Sequence, residues 1–218
     1  MSKPADDPSS FVDRERLELA ARLEQAGPEA PTLCEGWATL DLVAHLVLRE
    51  RSPSAAGIIV APLSGWTQRR QRSLAQQPYP TLVEKFRRGP VAISPLRLPG
   101  VQSAVNTFEH FVHHEDVRRA SSAWQPRDLA DGDQSTLWRQ LSERTRLYLR
   151  GTPVPITLAA PDLGQVTLGD SDEATRLTIT GAPAELVMYV HGRRDHARVE
   201  IEGSQQSQEK WNRHSLRV

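Results

Sequence analysis

Up to about residue 150 the apolar positions recur three and four apart, as on one face of a helix. Beyond it they alternate with polar ones, as in half-buried strands. Ser9 or Ser10 can cap a first helix that runs to about Gln25, with Phe11, Leu17, Ala20, Ala21 and Leu23 as a loose stripe. Gly27, Pro28 and Pro31 end it, and the loop PTLCEGW follows. A second helix starts near Ala38 or Thr39 and runs to about Arg51, with Asp41 in its first turn, where negative charge suits the helix dipole. Leu42, His45, Leu46 and Arg49 stand at i, i+3, i+4 and i+7, so His45 leans toward the interior. Residues 53–64 are small and apolar and carry no clear period. Helices are expected over 65–76 and 80–88, the second with Pro80 in its first turn. GPVAISPLRLPG, residues 89–100, reads as a loop.

A long helix is expected from about Val101 to Ala120, roughly 30 Å of it, supported by Val105, Phe108, Val112 and Val117. After a loop at 121–133, Leu137, Leu141, Leu147 and Tyr148 pattern a helix over 134–150. VPITLAA, QVTLGD and RLTITG then read as strands, APAELVMYVHG as a short helix and ARVEIEG as another strand. The pattern predicts a mainly α protein: a helical domain over 1–150, a small α+β domain over 151–203, and a tail over 204–218 that forms a short helix or stays loose. No internal repeat is visible.

Composition narrows the function class. The chain has 218 residues, with 27 Lys+Arg against 27 Asp+Glu. A balanced chain offers no global attraction for nucleic acid or an anionic membrane. Arg69, Arg70 and Arg72 read as a solvated helix face. One cysteine, Cys34, excludes an internal disulfide and cysteine-rich zinc sites. MSKPADDPSSF has no signal-peptide core, and no apolar run nears the roughly 20 residues of a membrane span. These features predict a soluble, cytoplasmic protein with small-molecule partners.

The chemistry concentrates in VNTFEHFVHHEDVRR, residues 105–119. It holds Glu109, His110, His113, His114, Glu115 and Asp116, and three of the seven histidines. Two i,i+4 pairs could each converge on a divalent transition metal: Glu109 with His113, or His110 with His114. A catalytic site needs a third protein ligand and an open position, and His45 is the best third candidate. A plain alternative is a hydrogen-bonded core histidine at 45 and solvated pairs on the long helix.

CEGWATLDLVAHLVLRE resembles the N-terminal signature, GW-x3-DL-x2-H, of the mycothiol-dependent maleylpyruvate isomerase-like proteins. EHFVHHEDVRRA is similar to that family's second motif, E-x3-H-x2-D, and closest to an actinobacterial metal-binding subgroup. GAPAELVMYVHGRRDHARVEIEG resembles the family's C-terminal domain. The resemblance implies a DinB-like helical bundle of up-down four-helix type, then a small sterol-carrier-like α+β domain. It puts the metal ligands at His45, Glu109 and His113. Two histidines and a carboxylate make zinc the first expectation, with nickel, iron or manganese compatible.

Asp116 then has two readings, an acceptor fixing His113 or a salt bridge to Arg118 or Arg119. Arg49 has two as well, a fork for a substrate or cosubstrate carboxylate or an ordinary ion pair. Two positions depart from the family pattern. Ala38 stands where a capping Ser or Thr is usual, so Thr39 takes the cap or the cap is lost. His110 stands where an aromatic residue is usual, and reads first as a polar surface substitution. Trp37 reads as a packing anchor and Cys34 as an inert small residue or, less directly, a thiol near the metal. The implied activity is a metal-dependent isomerase or S-transferase that uses mycothiol or a similar low-molecular-weight thiol on a small electrophile. The alternative is a non-catalytic metal- or ligand-binding protein of stress or detoxification. Oligomeric state, monomer or homodimer, has no signal in the sequence.

Overall fold

The computed structural model describes residues 8–51, 71, 73–90, 101–169 and 174–214. The expectations for 1–7, 53–64, Arg69, Arg70, Arg72, most of the 65–76 helix and the loop at 91–100 lie outside the described residues. The chain divides into two compact units, Pro8–Gln125 and one that begins at Pro126.

The first unit is helical. It contains α1 (Pro8–Ala26), α2 (Thr39–Arg51), α3 (Tyr79–Arg87) and α4 (Val101–Arg118). Its apolar core joins Leu19 and Leu23 of α1, Leu42, Val43, Leu46 and Val47 of α2, Leu82, Val83 and Phe86 of α3, and Val117 of α4. Phe11 and Phe111 add a tilted ring pair with centroids 6.4 Å apart.

The buried stripe of α1 differs from the expected one. Leu17 is 53% exposed and Ala21 faces solvent. The buried face is Phe11, Val12, Glu15, Arg16, Leu19, Ala20 and Leu23, which is the regular helical period with two charged residues inside it. Those charges are paired. Arg16 Nη2 donates to Glu50 Oε1 at 2.8 Å. His110 Nε2 lies 3.0 Å from the same oxygen, and its Nδ1 lies 3.3 Å from the carbonyl of Val12. His110 is therefore a fully buried link between α1, α2 and α4, and the surface reading of it is corrected. His114 is buried too, with Nδ1 3.0 Å from Glu15 Oε2.

The start of α2 also departs from expectation. The backbone N–H of Ala38 donates to Asp41 Oδ2 at 3.1 Å, the carboxylate half of a capping box. The Thr39 hydroxyl instead donates to the carbonyl of Gly27, so it ties the loop to the end of α1 and does not cap α2.

The second unit contains α5 (Asp131–Tyr148), β1 (Ile156–Ala160), β2 (Gly164–Leu168), β3 (Leu177–Thr180), α6 (Pro183–Val190), β4 (Glu200–Glu202) and α7 (Gln205–Asn212). The sheet order is β2-β1-β3-β4. β1 runs antiparallel to β2 and parallel to β3, and β3 runs antiparallel to β4. Gly203, at φ 146°, passes so close to Leu177 that a Cβ would stand 2.6 Å from its Cδ2.

The two units divide before α5, between Gln125 and Pro126. α5 packs on α6, and Gln134 Oε1 accepts from the N–H of Ala184 at 3.1 Å, satisfying one of the first-turn donors of α6. The tail takes the first of its two expected forms, a short helix, α7. α7 is capped by Ser204, whose hydroxyl accepts from Ser207 N at 3.2 Å. Trp211 is fully buried, and its Nε1 donates to the Tyr189 hydroxyl at 2.7 Å.

Burial by itself raises the Glu50 carboxyl, but the hydrogen bond from His110 and the charges of His110 and Arg16 outweigh it and hold the group below its ordinary 4.5. A carboxyl whose pKa falls on folding adds stability above the ordinary range, and that stability is lost as pH drops through the folded value. Glu50→Ala, which strands Arg16 and His110, is expected to cost about 3–5 kcal/mol at neutral pH. Urea titrations followed by circular dichroism check this, and the gap to the parent chain is expected to narrow on acidification.

Candidate metal centre

The site is built by two helices and one loop of the first unit. On α2, residues 42, 45, 46 and 49 share a face, so the apolar anchors Leu42 and Leu46 hold His45 and Arg49 toward α4. On α4, Glu109 and His113 share a face one turn apart. His45 Nε2 lies 3.1 Å from Glu109 Oε1, and His113 Nε2 lies 3.4 Å from the same oxygen. The two imidazoles stand at 74° with centroids 5.6 Å apart. Trp37 packs on His45 at 5.2 Å, so the packing role expected of it is realised against a site residue.

Arg49 Nη1 donates to Asn106 Oδ1 at 2.7 Å, and its Nε lies 3.4 Å from Glu109 Oε1. Of its two expected roles the ion pair is the one seen, with Glu109 as the partner. Asp116 is fully buried, with Oδ2 2.9 Å from His113 Nδ1. Arg118 and Arg119 both reach Glu115. Position 34 is nearer than its plain reading allowed. Cys34 Sγ donates to Asp116 Oδ2 at 3.2 Å and lies 3.8 Å from His113 Nδ1. No helical spacing could reveal this, because Cys34 sits in a loop.

The ligand atoms of His45, Glu109 and His113 all lie within 4.8 Å of one another. Tetrahedral zinc with bonds of about 2.0–2.1 Å holds its donors about 3.3 Å apart. The observed separations of 3.1 and 3.4 Å match that spacing. The donor types match as well, and the Asp116–His113 contact repeats the carboxylate–histidine arrangement that fixes a metal-binding imidazole. The residues thus fit a divalent metal. His110 and His114 face away from this point, toward Glu50 and Glu15.

The charges are tuned against each other. Burial raises the Glu109 carboxyl, but the Arg49 charge and the hydrogen bonds from His113 and His45 hold it well below the usual carboxylate range. Burial lowers His113, but hydrogen bonds to Asp116, Cys34 and Glu109 overcome this and push it well above 6.5. Both shifts favour the charged forms, protonated His113 beside ionised Glu109.

Two solved structures share the fold over most of the chain. One is the mycothiol-dependent maleylpyruvate isomerase, with a TM-score of 0.59, 13% identity, and coverage of 91% of this chain and 93% of that one. The other is a histidine-to-alanine mutant of that isomerase, with a TM-score of 0.60 and the same identity and coverage. At 13% identity this likeness shows the fold. No protein-family model matches the chain, and no curated protein matches it by sequence.

His113→Ala is expected to abolish stoichiometric metal in the purified protein, read by plasma mass spectrometry, while Asp116→Asn weakens zinc about 10- to 100-fold. Because a metal must displace the proton held on His113, zinc binding at neutral pH is expected to release about one proton and to weaken as pH falls. Calorimetry in buffers of different ionisation enthalpy checks the release.

Proposed function

We propose that this chain is a metal-dependent enzyme that uses a low-molecular-weight thiol, mycothiol or a close analogue, in isomerisation or S-transfer on a small electrophilic substrate. The observation that carries the reading is the convergence of His45, Glu109 and His113 on one point in a fold shared with a mycothiol-dependent isomerase. His45, Glu109 and His113 hold the metal, zinc in the first instance. The bound metal supplies the acidity that ionises a coordinated thiol at neutral pH.

The remaining roles belong to the chain. Asp116 accepts from His113 Nδ1 and keeps Nε2 aimed at the metal position. Arg49, held by Asn106 and Glu109, sets positive charge at the rim for an anionic group of thiol or substrate. Trp37 packs against one side of the His45 ring.

The nucleophile in this reading is the cosubstrate thiol. Cys34 lies near His113, but its geometry is not that of a nucleophilic triad. Such a triad uses one imidazole nitrogen for the nucleophile and the other for the carboxylate. Here Cys34 and Asp116 both face Nδ1, and Nε2 faces Glu109.

The test uses the Cys34→Ser chain loaded with cobalt, so that only an added thiol can supply sulfur. Titration with mycothiol is expected to raise a saturable sulfur-to-cobalt charge-transfer band, absent in His45→Ala. An unchanged spectrum, with no thiol adduct in native mass spectrometry, would instead favour a metal-binding protein without thiol chemistry. Arg49→Met is expected to raise the concentration of thiol or substrate needed for half-saturation about tenfold or more, as loss of one charge-assisted contact does.

A further inference from the structure

The His113 ring is shared between two sets of ligand atoms. Its Nε2 faces Glu109 and His45, while its Nδ1 faces Asp116 and Cys34. On the second side the three donor atoms are a sulfur, an imidazole nitrogen and a carboxylate oxygen, separated by 2.9, 3.2 and 3.8 Å. A zinc-sized tetrahedral ion, with bonds of about 2.3 Å to sulfur and 2.0 Å to nitrogen and oxygen, spaces such donors about 3.3–3.6 Å apart. The observed triangle brackets that range.

The loop that carries Cys34 is anchored to α4. Leu33 N donates to the carbonyl of Asp116 at 3.1 Å, and Cys34 N donates to Thr32 Oγ1 at 3.2 Å. Trp37 N closes the turn on the Cys34 carbonyl at 3.0 Å. Cys34 and His113 are half-buried and Asp116 is buried.

We propose that Cys34, His113 and Asp116 form a second, sulfur-containing site for a thiophilic divalent cation, and that it competes with the His45–Glu109–His113 site for one imidazole. A neutral imidazole has one N–H and one acceptor nitrogen. With a cation on Nδ1, the ring proton resides on Nε2, where it donates to Glu109 and no longer offers a lone pair to the first site. The thiol proton leaves to solvent, and no electron changes hands. Thiolate favours soft cations, whereas the His–Glu–His set suits borderline ones. The identity of the cation therefore selects the side of the ring. The inference rests on the geometry of His113 and not on the thiol chemistry proposed above.

The test starts from protein carrying one equivalent of zinc and titrates it with cadmium chloride. Near-ultraviolet thiolate-to-cadmium absorption and metal content are both read. The expected result is absorption that saturates at one cadmium per chain as one zinc leaves. Cys34→Ser is expected to keep its zinc and show no such absorption. Asp116→Asn is expected to bind cadmium at least tenfold more weakly. His45→Ala, which lacks a donor of the first site only, is expected to show the full absorption, whatever becomes of the thiol activity. The proposal is overturned if the parent chain shows no absorption. It is overturned equally if Asp116→Asn and His113→Ala bind cadmium as tightly as the parent, which marks a thiol acting alone, or if cadmium and zinc are retained together.

Discussion

A helix buried on several sides can keep polar side chains only if each meets a partner, because an unpaired charge in the interior costs several kcal/mol. α4 lives under that constraint. His110, His114, Glu115 and Asp116 are all at most 4% exposed. The partners come from three directions: Glu50 on α2 for His110, Glu15 on α1 for His114, and Arg118 and Arg119 on the same turn for Glu115. Asp116 is met by His113 and by the loop thiol of Cys34. The contacts with Glu50, Glu15 and Cys34 come from other segments and fix the rotation of α4 about its axis. That rotation is what brings Glu109 and His113 to His45.

Much of this was legible in the sequence. The 3.6-residue period placed α1, α2, α3 and α4 within a few residues of their observed ends, and alternation found the strands of the second unit. The site was legible for the same reason. Glu109 and His113 had to share a face, and His45 sat beside the apolar stripe of another helix. What escaped was whatever depends on a charge being buried. Glu15 and Arg16 occupy core positions of α1, but a charged residue reads as solvent-facing, so the stripe was assembled from Leu17 and Ala21 instead. Glu50, His110 and His114 were missed on the same ground. No period constrains the loop residue Cys34 or the helix-start residue Thr39, so tertiary contacts decide between the readings open for each. The pattern changes near 150, yet α5, which lies before that change, takes its packing from α6.

The buried charges also explain how one fold can tolerate a sequence this distant from the isomerase it resembles in shape. The motif that this sequence resembles usually has an aromatic residue at position 110. In this chain His110 still presents an aromatic edge to Phe86, with centroids 5.5 Å apart at 87°. Its shape therefore serves the same packing. Its nitrogens do not, and they demand acceptors: Glu50 on one side and the Val12 carbonyl on the other. Glu50 in turn demands Arg16. An aromatic residue at 110 would fill the space and take from Glu50 its contact with His110 Nε2. The three positions must consequently change together or not at all, since partial replacement is the costly state and full apolar replacement is not. The packing geometry of the fold can persist through such a concerted exchange while residue identity falls. His45, Glu109 and His113 stand apart from it: under the proposed function each supplies a donor atom to one point, so apolar residues could not replace them in such an exchange.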